Sequence, residues 1–240
     1  MAYAGLAGRR MVESDSANTM LYGTCALEMA ELLDDAETIC CALSYIGTLQ
    51  LGEGNAEGYD KLERSLQLAL AHGYEEHAAR AYGNLADSAV KTRTYDRAVG
   101  YLQEGLSYCV DHDLQAWEYS MRVTCAQARL DHGDWTLAAD DITAILSIPD
   151  LPACTRFPAL LVLGLLRARR GDPGAVAVLD EARDLALASG QMQYISPVAA
   201  VRAEWRWLLG DREGCAAEAW AGFAPALQAN CPWYWGEVAI

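Results

Sequence analysis

Apolar residues recur along this chain at intervals of three and four, which is the spacing of one face of an α-helix. The stretch 75–111 has this pattern twice, before and after a polar break at 91–94. The predicted helix pairs are 36–51 with 57–72, 75–91 with 95–111, 114–131 with 135–147, 154–170 with 174–189, and 193–209 with 212–228. A preceding helix is expected over 12–33, capped by Ser14 or Ser16.

The breaks between helices recur at a nearly fixed period. Gly-Asp pairs stand at Gly133-Asp134, Gly171-Asp172 and Gly210-Asp211, which are 38 and 39 residues apart. Glycine can end a helix in the left-handed conformation, and the aspartate that follows can cap the next helix. Such a period is typical of helical repeat proteins. The histidines His72, His112 and His132 precede breaks of this kind, so we interpret them as helix-end residues rather than metal ligands.

One repeat carries a recognisable motif. The sequences AYGNLA at 81–86 and YDRAV at 95–99, followed by Leu102 and Gly105-Leu106, resemble the tetratricopeptide pattern. The resemblance implies an all-α fold, a tetratricopeptide-like α-solenoid of about five antiparallel helix hairpins in a single domain over 1–240. The expected repeats lie near 34–73, 74–112, 113–150, 151–190 and 191–231, with the start of a further repeat at 232–240.

A second resemblance spans about 30–240. The sequences ALSYIGT at 42–48, LERSL at 62–66, EHAARAY at 76–82, LLRARRGD at 165–172 and PWYWGE at 232–237 are similar to the helical middle region of large ATP-binding LuxR-type transcriptional regulators. That family implies an upstream P-loop ATPase and a downstream helix-turn-helix. The chain has no GxxxxGK[ST] sequence. A fragment of a larger regulator and a stand-alone protein both remain open.

Composition narrows the classes of partner. Apolar residues make up 52% of the chain, which favours an extensive buried core. The net charge of −15 argues against direct nucleic-acid binding, because phosphate backbones are bound through basic residues. The acidic residues are interpreted as solvated helix faces, with a specific basic partner as the alternative. The apolar run at 157–166 is about half of the ~20 residues that span a bilayer, so no membrane segment is expected.

No arrangement typical of an active site emerges. The eight cysteines form no CxxC pair, which favours small buried apolar residues and a reducing cytoplasm. There is no Gly-x-Ser-x-Gly sequence. The pair that repeat geometry could bring together is His77 with Cys109, and we do not expect a Cys-His enzyme. We therefore expect a non-enzymatic protein with no cofactor and no metal.

The expected function is a protein–protein interaction or signal-sensing scaffold. Its partner would be a protein, a peptide or adjoining domains of a larger regulator. The first helix of each hairpin should line the concave side of the array. The predicted partner-binding residues on that side are Arg80, Asn84, Asp87, Lys91, Ser120, Thr124 and Gln127.

The alternative function is a small-molecule receptor, in which an inducer occupies a pocket lined by Tyr194, Trp205 and Trp207. Aromatic residues also accumulate toward the C-terminus. If no further hairpin covers them, self-association is expected through this surface. Its members are Trp205, Trp207, Trp220, Phe223, Trp233, Tyr234 and Trp235.

Overall fold

A computed structural model describes residues 1–228, which fold into twelve α-helices with no β-strand in that range. The helices are α1 Ala2–Val12, α2 Ser16–Leu33, α3 Ala36–Gly52, α4 Glu57–His72, α5 Glu75–Lys91, α6 Tyr95–Asp111, α7 Gln115–His132, α8 Trp135–Leu146, α9 Ala153–Arg170, α10 Ala175–Ser189, α11 Met192–Leu208 and α12 Arg212–Gln228. The all-α prediction is confirmed. None of the described helices is both long and apolar enough to cross a membrane.

The five predicted helix pairs coincide with α3–α4 through α11–α12 to within two residues at each end. The N-terminal prediction needs a correction, because the helix expected over 12–33 begins only at Ser16, and a further helix, α1, precedes it. Ser14 has a φ of 59° and lies between them. The cap of α2 is Asp15, whose carboxylate accepts a hydrogen bond from the Asn18 backbone N–H at 3.1 Å, so neither Ser14 nor Ser16 has that role.

The chain divides into two compact units, Met1–Met121 and Arg122–Ile240. In the first unit each helix packs against the next in sequence, and α3 also contacts α1 and α5 directly. The odd-numbered helices α1, α3 and α5 therefore lie side by side. The interior between the helices is filled by small and aliphatic side chains. Its largest fully buried members are Leu43, Leu62, Leu85 and Met121.

The second unit has its own core. Here α9 contacts α8, α10 and α11, and α11 also packs against α10 and α12. Phe157, Leu160 and Val198 are buried together with alanines of α10. Arg202 is also buried, and its guanidinium is held between two carboxylates, Asp180 at 2.7 Å and Glu218 at 2.8 Å.

The predicted helix stops adopt the expected backbone. The glycines of the three Gly-Asp pairs have positive φ angles, 90° at Gly133, 70° at Gly171 and 78° at Gly210. The expected aspartate caps are right at one place: Asp211 accepts a hydrogen bond from the Gly214 N–H at 2.9 Å. Asp134 precedes α8 without a side-chain cap bond. Asp172 instead forms an ion pair with Arg170 at 3.1 Å.

The α3–α4 hairpin closes on two glycines. A Cβ atom added to Gly47 would lie 2.8 Å from the Gly58 carbonyl oxygen and 2.9 Å from Leu62 Cγ, and one added to Gly58 would collide with the Gly47 carbonyl oxygen. Beside this contact the Ser65 hydroxyl donates to the Cys40 carbonyl oxygen at 2.9 Å. Because backbone atoms lie on both sides of this contact, a side chain at either glycine would force the two helices apart, which is unfavourable.

We therefore predict that Gly47→Ala lowers the free energy of unfolding by about 1–3 kcal/mol, because the clash outweighs the better helix propensity of alanine. Gly100→Ala is the matched control: it replaces a glycine inside α6 that has nothing within 4 Å of an added Cβ. That change should raise the free energy of unfolding by about 0.5–1 kcal/mol. Urea unfolding followed by circular dichroism measures both. Equal effects of the two substitutions would contradict this account of the hairpin.

Candidate functional site

Part of the predicted binding face lies on one side of α5. Arg80, Asn84, Asp87 and Lys91 follow one another at intervals of four, three and four, which places them on a single side of the helix. Asn84 reaches α3, where its amide nitrogen donates to the Ser44 hydroxyl at 3.2 Å. Asn84 is thus held in place by the neighbouring odd-numbered helix α3.

Arg80 is the first residue of this row on α5. Its guanidinium carbon is 5.8 Å from the centroid of the Trp117 ring, within the range of a cation–π contact. The Trp117 indole N–H donates to a Glu76 carboxylate oxygen at 2.6 Å, which fixes the ring. The guanidinium is also close enough to the Cys41 thiol for its positive charge to lower the pKa of that thiol. Arg80 is half-buried and has no ion pair with a carboxylate among the described residues.

His77 lies near Cys41 rather than Cys109, which corrects the predicted pair. The Cys41 sulfur is 3.7 Å from Nδ1 and 3.9 Å from Nε2 of the ring. A sulfur nearly equidistant from both nitrogens is not aligned with the lone-pair direction of either nitrogen. Burial raises the pKa of the Cys41 thiol, although Arg80 opposes that rise. This geometry does not match a thiolate–imidazolium nucleophile.

The charges of Asp87 and Lys91, the last two residues of the α5 row, neutralise each other. Lys91 and Asp87 form an ion pair at 2.8 Å, with about half of each side chain exposed. An exposed i,i+4 pair of this kind contributes roughly 0.3–0.5 kcal/mol. The remaining predicted residues lie on α7, where Ser120 is half-buried in the first unit. Thr124 and Gln127 belong to the second unit, and the Gln127 amide donates to Asp131 at 2.9 Å.

The structure spreads out the three residues predicted for the alternative inducer pocket. All are on α11, but Tyr194 and Trp205 are eleven positions apart, about 16 Å along a helix axis. Tyr194 packs against the Phe157 ring at 4.4 Å between centroids. Trp205 lies beneath the Arg206 guanidinium at 4.8 Å, and Trp207 is exposed.

A small cleft of about 90 Å³ opens elsewhere in the second unit, between α10, α11 and α12. Ile195, Val198 and Leu187 line it with apolar surface, and Arg183 and Arg202 line it as well. Both arginines already have carboxylate partners, Asp180 in each case. The cleft therefore offers space for a short apolar group and no free charge for an anion.

The histidines occupy helix ends, as predicted. His72 and His132 are the last residues of α4 and α7, and His112 is the C-cap of α6, where it pairs with Glu75 at 3.1 Å. Within residues 1–228, no three His, Cys, Asp or Glu side chains are grouped to hold a metal ion.

The predicted C-terminal aromatic surface is described in part. Trp207 and Trp220 are exposed, and the Trp220 and Phe223 rings lie 5.8 Å apart. Trp233, Tyr234 and Trp235 fall outside the described residues.

Several residues around the Arg80 site were not predicted from the sequence, namely Cys41, Ser44, Tyr45, Glu76 and Trp117. The spacing of these residues along the sequence could have indicated their contacts. The contacts between consecutive odd-numbered helices join residues 36, 40 and 41 positions apart, which is about one repeat length. Searching each first helix for partners one repeat away would have placed Trp117 beside Glu76 and Asn84 beside Ser44.

Burial has a measurable consequence for thiol chemistry. It raises the pKa of Cys40 and of Cys109 to about 11, so at pH 8 both are thiols without the nucleophilic thiolate. We predict that iodoacetamide modifies the exposed Cys154 at least about tenfold faster than Cys40, Cys41 or Cys109 in the native protein. Peptide mass spectrometry over a time course measures the rates. Fast labelling of Cys41 would contradict the burial described here.

Comparison with known proteins yields no family assignment: no family model matches the sequence, and no curated protein matches it significantly.

Proposed function

We propose that this chain is a non-catalytic scaffold that binds a protein or peptide through the odd-helix face of its first unit. We define that face by Tyr45, Arg80, Asn84 and Trp117. The proposal includes continuation of the hairpins as a tetratricopeptide-like α-solenoid, the role of the helical segment in a LuxR-type regulator, and a cytoplasmic location. Successive hairpins of repeat length and the sequence resemblance support it. Buried free thiols such as Cys40 and Cys109 are compatible with a reducing compartment.

The observation that carries the proposal is the state of Arg80. Its guanidinium is half-buried and contacts Trp117, yet no carboxylate of the described residues lies within ion-pair distance of it. Partial burial weakens the hydration of a cation, and an incoming carboxylate would restore the lost interaction through a charge-assisted hydrogen bond. The planar fork of arginine is suited to bidentate recognition of such a group. The expected ligand therefore presents a carboxylate to Arg80.

The surroundings of Arg80 define the rest of the ligand. Trp117 contacts the guanidinium and offers aromatic surface, and aromatic residues are frequent anchors in protein interfaces. The net charge of −15 disfavours a strongly acidic segment, because long-range repulsion would slow its approach. We therefore expect a peptide segment that combines one or two carboxylates with apolar or aromatic side chains.

The test begins with selection from a random peptide library displayed on phage, followed by synthesis of the enriched sequences. We predict that enriched peptides contain Asp, Glu or a free C-terminal carboxylate. Their affinity, measured by isothermal titration calorimetry, should fall at least about tenfold in Arg80→Gln, because a charge-assisted pair in a partly buried site contributes on the order of 1.5–3 kcal/mol.

Arg97→Gln is the matched control. Arg97 lies over the Tyr59 ring at 4.9 Å and so makes the same kind of contact, but it belongs to the even-numbered helix α6. This substitution removes the same charge and should leave the affinity within about twofold. If both variants lost affinity equally, the loss would come from the change in net charge and not from a contact at Arg80. Binding unaffected by Arg80→Gln, or no enriched peptide at all, would refute the proposed face.

A further inference from the structure

The helix α2 carries an unpartnered apolar stripe on its outer side. Leu21, Cys25, Met29 and Leu32 follow intervals of four, four and three, which is one side of a helix. Leu32 is 86% exposed, Leu21 54% and Met29 50%, and Leu33 at the stripe's edge is 74% exposed. The buried residues Gly23, Ala26 and Ala30 lie on the opposite side of α2.

The stripe is unusual for a helix that faces water on one side. The eighteen residues of α2 include only two charged side chains, Glu28 and Glu31, and apolar residues surround the helix. A helix that is apolar all round is normally covered all round. Glu31 is tied to Arg64 of α4 at 2.8 Å and so lies toward the neighbouring hairpin. The outer stripe therefore has the composition of a buried surface, and no part of the chain described by the structure covers it.

The exposed area matches the need of a dimer. The stripe continues onto α1, where Tyr3 stacks on Tyr22 at 6.1 Å and Leu6 is also exposed. Taking a large side chain as on the order of 150–200 Å² when fully exposed, the exposed large residues of this patch present about 600 Å². Two copies would bury roughly 1,200 Å² in total, the lower bound of a specific interface.

The positions of the charged residues favour one relative direction of the two α2 helices. A parallel pair of α2 helices would set Glu28, at the edge of the stripe, beside Glu28 of the second copy, a like-charge arrangement that is unfavourable in a desolvated contact. An antiparallel pair centred on Cys25 sets Leu21 opposite Met29 and Glu28 opposite Tyr22. It also aligns the helix dipoles favourably. The stripe is thus complementary to itself in the antiparallel direction.

We propose that α2 is the contact surface of a homodimer, in which it packs antiparallel against α2 of a second copy with Cys25 at the two-fold axis. The contact is apolar, whereas each copy carries a net charge of −15. Added salt screens the repulsion between copies and does not weaken the apolar contact. Dimerisation should therefore strengthen as sodium chloride is raised.

The test uses the full chain in light scattering coupled to size exclusion, over a protein concentration series. We expect the wild type to dimerise and the apparent dissociation constant to fall with salt. Leu32→Lys and Leu21→Lys should each weaken the dimer at least about tenfold, because a lysine would be buried at the interface. Leu32 is so exposed that its replacement should leave the thermal unfolding of the monomer unchanged, which circular dichroism verifies.

Leu137→Lys provides the matched control, because Leu137 of α8 is 53% exposed, close to the value for Leu21. This variant should remain dimeric. A short bis-maleimide should link Cys25 to Cys25 of the second copy, and Cys25→Ser should abolish that linked peptide in mass spectrometry. A wild type that stays monomeric up to about 100 µM, where even a weak dimer would be populated, would overturn the proposal. So would dimers that persist in both α2 variants or dissociate equally in Leu137→Lys.

Discussion

The close contact of α3 and α4 at Gly47 and Gly58 is the constraint on which the first unit depends. It brings the two backbones within a distance that no Cβ would allow, and the Ser65–Cys40 hydrogen bond fixes the register beside it. Because this contact fixes which side of α3 packs against α4, it also fixes the rotation of α3 about its own axis. The next residues around the helix must therefore face α5.

That rotation explains the Arg80 site. Cys41 and Ser44 emerge on the side of α3 that α5 covers, and they contact His77 and Asn84 there. Arg80 lies between those two positions on α5, with Trp117 beyond it. The packing thus orders a cation without giving it a carboxylate, an arrangement that adds little to stability and leaves an interaction for a ligand. The proposed dimer contact has a similar origin, because α2 contributes its small residues and Leu27 to the core while Leu21, Met29 and Leu32 stay exposed.

Local pattern predicted the helices well because periodic apolar positions and helix-ending glycines act within a few residues of each other. The positive φ angles at Gly133, Gly171 and Gly210 followed from that local chemistry. The break at Ser14 and the cap at Asp15 were missed because several polar residues there could serve as a cap. The His77 pairing was wrong for a different reason: the partner depends on how far α3 is rotated, and periodicity does not fix that angle. The separation of Tyr194 from Trp205 required only the helix rise, which the pocket hypothesis did not take into account.

Hydrogen–deuterium exchange with and without a carboxylate-bearing library peptide tests the central claim most directly, that the odd-helix face of the first unit is the binding surface. The account predicts slower amide exchange in α3, in α5 and at the start of α7, with little change in α4 and α6. Protection confined to α4 and α6, or to the second unit, would contradict it.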